Sequence, residues 1–144
     1  MLRIATFRKT DSKQETGMGY TIDKVISGDF DAVEARVRAA LVDAGFGVMT
    51  EINVAATLKT KIDVDMPAYK ILGACNPKLA HGVITLEPKV GVMLPCNVVL
   101  REVAGGVEVS AVDPVASMAG IDNPALHDDL AKVRQMLTDM IAAI

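Results

Sequence analysis

The spacing of apolar residues along the chain changes period several times, and each change predicts an element. Tyr20, Ile22 and Ile26 fall on alternating positions and predict a strand over residues 20–27. Asp29 then stands as a cap before Phe30, Val33, Val37, Ala40, Leu41 and Ala44, which recur at helical spacing. Gly45 follows, where a left-handed residue closes a helix. Phe46 to Ile52 reads as a second strand, and Asn53 caps a short helix with Val54, Leu58 and Ile62 on one side. Lys59 and Lys61 lie at the end of that helix, where its dipole favours cations.

After Met66-Pro67 the pattern resumes with a short buried strand from Tyr69 to Ala74, and Asn76-Pro77 opens a third helix to about Leu86. Residues 91–103 are strongly β-prone, although Pro95 lacks an N–H and marks an edge, bend or bulge. Gly105-Gly106 predicts a hairpin turn into Val107, Val109 and Ala111, which alternate with Glu108 and Ser110 as in a half-solvated antiparallel sheet. Asp113-Pro114 ends that strand, and a loop rich in Met, Gly and Asn leads to Asn123-Pro124. The last helix, over 124–144, carries Leu126, Leu130, Val133, Leu137, Met140, Ile141 and Ile144 on one face, a stripe that reads as core. This order predicts an α+β fold in which helices pack on a largely antiparallel or mixed sheet. The polar stretch from Asp11 to Gly19 separates a tail or edge segment, residues 1–16, from a single domain over 17–144. No repeat of solenoid type is visible.

Composition narrows the class. A chain of 144 residues is long enough for one self-sufficient core. Aromatics are only 3% and Trp is absent, so the core must be aliphatic. Eighteen acidic and fifteen basic side chains are interspersed to a net charge of −3, which leaves no basic stripe for nucleic acid. No apolar run is long enough for a signal-peptide core or a membrane span, so a cytoplasmic location is expected. In that compartment Cys75 and Cys96 are expected as thiols, not as a structural disulfide.

The two cysteines are the sharpest chemical signal. Cys75 comes just before the Asn76 cap and Pro77, where free backbone N–H groups and the helix dipole favour a thiolate; equally, it can end a buried strand as a small hydrophobe. Cys96 follows Pro95 at a bend and is either displayed toward a pocket or tucked into the core. As a pair they suit redox chemistry or soft-metal ligation, with His81, Met93 and Met118 as further donors. No CxxC or Cys/His cluster accompanies them, so no metal site is assigned and His81 reads as an ordinary boundary histidine. A cysteine nucleophile would need a base and an oxyanion-binding group, and His81, Glu51 and the amides after Pro77 are the candidates. Glu51, near a strand end among apolar residues, is either a perturbed carboxylate or a solvated one. Glu34 and Arg38 read as an i,i+4 pair on the exposed face of the first helix. Neither GxGxxG nor GxxxxGK[ST] is present, and no cofactor is identified.

The segments YKILGACNPKLAHGVITLEP (69–88), GVMLPCNVVLREV (91–103) and VSAVDPVASM (109–118) resemble the bacterial and archaeal domain of unknown function 302 family. The likeness continues upstream through GFGVMTEINVAATLKTKI (45–62) and spans about residues 20–120, while the first 16 residues match nothing in that pattern. The resemblance implies a compact α+β domain, commonly a homodimer, with Glu51, Cys75, Asn76, Pro77, Pro95, Cys96 and Asn97 on matching motif positions. It implies no established activity. Residues and resemblance together favour a small dimeric binding or redox-linked module in which Cys75 and Cys96, with Glu51, line a pocket for a small or soft ligand. A cysteine-dependent enzyme, and a structural or interaction domain with inert thiols, are the alternatives.

Overall fold

The computed structural model describes residues 19–144; the expected tail or edge segment, residues 1–16, lies outside them. Five strands form one antiparallel sheet: β1 (Thr21–Ile26), β2 (Gly47–Asn53), β3 (Tyr69–Cys75), β4 (Cys96–Val103) and β5 (Gly106–Val112), in the order β1-β5-β4-β3-β2. The helices are α1 (Phe30–Asp43), α2 (Val54–Ile62), α3 (Pro77–Leu86), the single turn α4 (Pro114–Ser117) and α5 (His127–Ala143). The fold is α+β, with helices on an antiparallel sheet.

Residues two apart on a strand share a face, and here one face carries nearly all the bulk. Ile22 and Ile26 of β1, Leu72 and Ala74 of β3, Val98 and Leu100 of β4, and Val107, Val109 and Ala111 of β5 are buried in one cluster. Val33, Val37 and Leu41 of α1 and Val133, Leu137, Met140 and Ile141 of α5 complete it. The α5 stripe is therefore core, as its spacing predicts. On the other face Thr21, Asp23, Asn97, Arg101, Glu108 and Ser110 border a shallow groove. A second, smaller cluster joins Val83 of α3 and Leu130 of α5 with Val90, Met118 and Leu126.

Local capping chemistry fixes most boundaries. Asp29 Oδ1 accepts from Ala32 N at 2.8 Å, Asn53 Oδ1 from Ala56 N at 2.9 Å, and Asn76 Oδ1 from Leu79 N at 3.0 Å. Gly45, at φ 96°, leaves α1 in a left-handed conformation. Three boundaries differ from the sequence expectation. The β-prone stretch from 91 does not extend as a strand until Cys96, because Pro88 opens a 3₁₀ segment over Pro88–Met93 and Pro95 has no N–H for a ladder. The loop after Asp113 is partly helical, since Asp113 and Pro114 start α4 and Asn123 and Pro124 start a 3₁₀ turn, Pro124–Leu126, ahead of α5. The hairpin turn is Ala104-Gly105, with Gly106 already paired to Val103.

Glu34 and Arg38 are more than a surface pair. Glu34 accepts from Arg38 at 2.9 Å and from Lys70 of β3 at 2.8 Å, and both cations also reach Glu51 of β2. Burial alone would raise the Glu34 carboxyl, but the hydrogen bonds from Lys70 and Arg38 outweigh it and hold the group below its ordinary range. The hydrogen bond to Glu34 likewise holds the Lys70 ammonium above its ordinary range. A depressed carboxylate contributes stability above its unfolded pKa and loses it as pH falls through the folded value; a raised lysine loses its contribution only as pH rises through its folded value. Glu34→Gln is thus expected to cost about 1–2 kcal/mol at neutral pH, a gap that closes between ~pH 5 and ~pH 3. Urea unfolding across that range checks it, and a gap independent of pH would remove the carboxylate as its cause.

Candidate functional site

The two hydrophobic clusters do not close completely against each other. Between them lies a cavity of about 310 Å³, lined by residues of both. The gap opens to solvent at one side, so it is a cleft between the two clusters and not a sealed void. Its floor is made by buried side chains: Ala74 at the end of β3, Cys96 at the start of β4, Val83 of α3, Met118 after α4, and Leu130 and Val133 of α5. Its rim is exposed, with Met49 of β2 at 61% and Ile84 of α3 at 41% of full accessibility. Small side chains keep it open, notably Ala74, Ala80 and Gly91.

Sequence features place each wall. The Asn76-Pro77 start aims α3 across the end of β3, so that Leu79, Ala80, Val83 and Ile84 turn one side to the cavity. The 3₁₀ segment then returns the chain through Leu94 and Pro95, both in the wall, into β4. A β-bulge between Val48 and Thr50 on the edge strand coincides with Met49 reaching the rim. Opposite, the Asp113 cap holds Pro114 in place, and α4 ends at Met118.

Of the residues singled out from sequence, the cavity gathers Cys75, Asn76, Pro95 and Cys96. Cys75 is half-buried and Cys96 buried, and both are free thiols. Desolvation pushes the Cys96 thiol up to about 11, and the neighbouring Cys75 adds to the rise, so Cys96 is protonated at neutral pH. Asn76 spends its side chain locally: Oδ1 accepts from Leu79 N, and Nδ2 donates to Gly45 O at 3.0 Å. The other four candidates lie elsewhere. Glu51 is in the ion network with Arg38 and Lys70, Pro77 and His81 are exposed on α3, and Asn97 faces the groove on the opposite side of the sheet. The separation of Asn97 from Cys96 has a sequence signal, since neighbours on a strand point to opposite faces. Of the two methionines considered as further donors, Met118 lines the cavity and Met93 does not. The lining residues missed in sequence, Phe46, Met49, Ala80 and Leu94 among them, carry no individual signal.

The chemistry of this wall is narrow. Apart from the two thiols and the engaged Asn76 amide, every described lining side chain is apolar, and the described lining includes no carboxylate, imidazole, ammonium or guanidinium. Among the described residues no group of three or more His, Cys, Asp or Glu gathers as a metal site, and no helix is long and apolar enough to cross a membrane.

The model of the family described as domain of unknown function DUF302 matches residues 22–144, which takes in every described strand and helix except Thr21, the first residue of β1. The chain belongs to the DUF302 family. A crystal structure titled as an uncharacterized conserved protein DUF302 from Bacillus stearothermophilus is similar to it, with a TM-score of 0.81 and 25% identity, covering 88% of this chain and 98% of that one. Among curated proteins none matches significantly. In this DUF302 chain the matched region runs past the motif resemblance, which fades near residue 120, and includes α5, whose Leu130 and Val133 help build the cavity.

Proposed function

We propose that this DUF302 domain is a binding module, acting as a homodimer, whose cavity takes a small uncharged apolar molecule with Cys75 and Cys96 as its sulfur contacts. The observation that carries this reading is the wall itself: a cavity of about 310 Å³, within the size range of ligand sites at roughly 300–1,000 Å³, with apolar side chains and no charged group among its described lining residues. An apolar guest seated in such a cleft removes its own surface and the wall's from water. The burial of Cys96 on the floor fits the same reading. A cysteine-dependent enzyme is less well supported, since Glu51 and His81, the bases available to Cys75, are not in the lining. The dimer draws support from α2, which has no buried residue and ends on exposed Ile62, and from exposed Ile52 in the strand just before it.

Phenylnaphthylamine, an uncharged fluorophore that brightens in apolar surroundings, is the probe. Saturable binding at one site per chain is expected, weakened about tenfold or more by Ala80→Phe, which puts a ring into the void without removing a core contact. Thermal unfolding of the variant shows that the fold persists. Equal affinity in both proteins would move the ligand out of this cavity. Light scattering on the same samples is expected to give the mass of two chains, and a single-chain mass at high concentration would remove the dimer.

A further inference from the structure

The geometry points to a second property of the same wall: Cys75 and Cys96 are an oxidisable pair, and the disulfide between them closes the cavity. The β3–β4 register sets Ala74 opposite Cys96, so Cys75 stands one residue off a paired position. Paired antiparallel residues lie about 4.5–5.5 Å apart and successive residues advance about 3.4 Å, which puts the two cysteine Cα atoms roughly 6 Å apart. Disulfides span Cα separations of about 4.4–6.8 Å. Strict alternation would send the two side chains to opposite faces. Cys75, however, is the last residue of β3, next to the Asn76 cap of α3, and it shares the cavity wall with Cys96.

Their environments divide the labour. Cys75 is half-buried at the start of α3, within reach of a small oxidant, and Cys96 is the buried partner on the floor. With hydrogen peroxide as oxidant, the Cys75 thiolate attacks one peroxide oxygen, the O–O bond breaks, and hydroxide leaves a sulfenic acid on Cys75. The Cys96 sulfur then attacks the Cys75 sulfur, the S–O bond breaks, and the departing hydroxide takes up the Cys96 proton as water. The two thiols lose two electrons and two protons, and the peroxide is reduced to two waters. Burial keeps Cys96 protonated at neutral pH, so the second step quickens as pH rises. The bridge ties the half-buried wall at the end of β3 to the floor and takes up space a guest would use; that gating, unlike the bridge, rests on the ligand reading above.

The test treats the reduced full chain with one equivalent of hydrogen peroxide and reads intact mass, peptide maps and phenylnaphthylamine binding together. The expected product has lost two hydrogens, joins the peptides of Cys75 and Cys96 within one chain, reverts with dithiothreitol, and binds the probe about tenfold or more weakly. Cys96→Ser is expected to stop at a Cys75 sulfenic acid, trapped by dimedone, while Cys75→Ser leaves Cys96 unoxidised over the same time. Oxidised wild type in which Cys96 still alkylates after unfolding, or a Cys75 link between two chains, overturns the pair. A bridged chain that keeps its probe affinity overturns the gating alone. If the reduced protein takes up no probe, the ligand reading and the gating fail together, and the mass still decides the bridge.

Discussion

Gly106→Ala is expected to cost about 4 kcal/mol. Gly106 opens β5 at φ 146°, a conformation that L side chains rarely adopt, and it pairs with Val103 across the hairpin. Its absent Cβ points at β1. A methyl there would overlap Ile26 O and come within 2.9 Å of Ile26 C and Ser27 Cα, all backbone atoms that no rotamer change can move. Ile26 pairs with Val107 and is itself core, so relieving the overlap means prising β1 off β5 at its last rung. Gly105 is the internal comparison, because it also has positive φ, at 93°, yet a Cβ there meets nothing within 4 Å. Gly105→Ala therefore carries only the backbone term, about 1 kcal/mol. Paired urea denaturation of the two variants separates conformation from contact, and equal losses would mean that the overlap with Ile26 relaxes freely.

The same hairpin shows how far the sequence could be read. Gly105-Gly106 marks a turn, and the alternation of Val107, Val109 and Ala111 gives the buried face of β5, both from local rules. What the second glycine is for depends on β1, some eighty residues earlier, and no local pattern contains that. The caps behave likewise. Asp29, Asn53, Asn76 and Asn123 are legible because capping is a contact between residues two or three apart. The 3₁₀ course of residues 88–93 is less so, since Val90, Val92 and Met93 are β-prone and the Pro88 and Pro95 that bracket them override that preference. The cavity is at the far end of this scale. Its wall runs from Phe46 to Val133 and arises where two clusters, each well packed, fail to meet. Cys75 and Cys96 could be brought together from their motifs, but the depth of the space between them could not, because emptiness has no residue to announce it.

Asp113 connects stability to that space, and its loss is the second large effect expected. The residue is 3% exposed, yet its carboxylate is fully engaged: Oδ1 accepts from Val115 N at 3.0 Å and Ala116 N at 3.3 Å, and Oδ2 from Arg134 Nε at 3.0 Å. Its own amide donates to Tyr20 O at 2.8 Å. One side chain thus joins the end of β5, the start of α4 and the middle of α5. Asp113→Ala removes a cap worth about 2 kcal/mol at most, because the two amides it releases belong to the exposed residues Val115 and Ala116 and turn to water. Arg134 loses a partner but is exposed enough to be hydrated, so it adds little. Asp113→Asn keeps an oxygen for the two amides and gives up only the ion pair, so about 1 kcal/mol is expected, and in an Arg134→Met background that difference should shrink. Pro114, the next residue, and Met118, just past α4, line the cavity, so the alanine variant should also bind phenylnaphthylamine more weakly while the asparagine variant binds it normally. Equal binding by both variants, despite unequal stability, would show that α4 holds its place without the cap and that the wall is set by α3 and α5 instead.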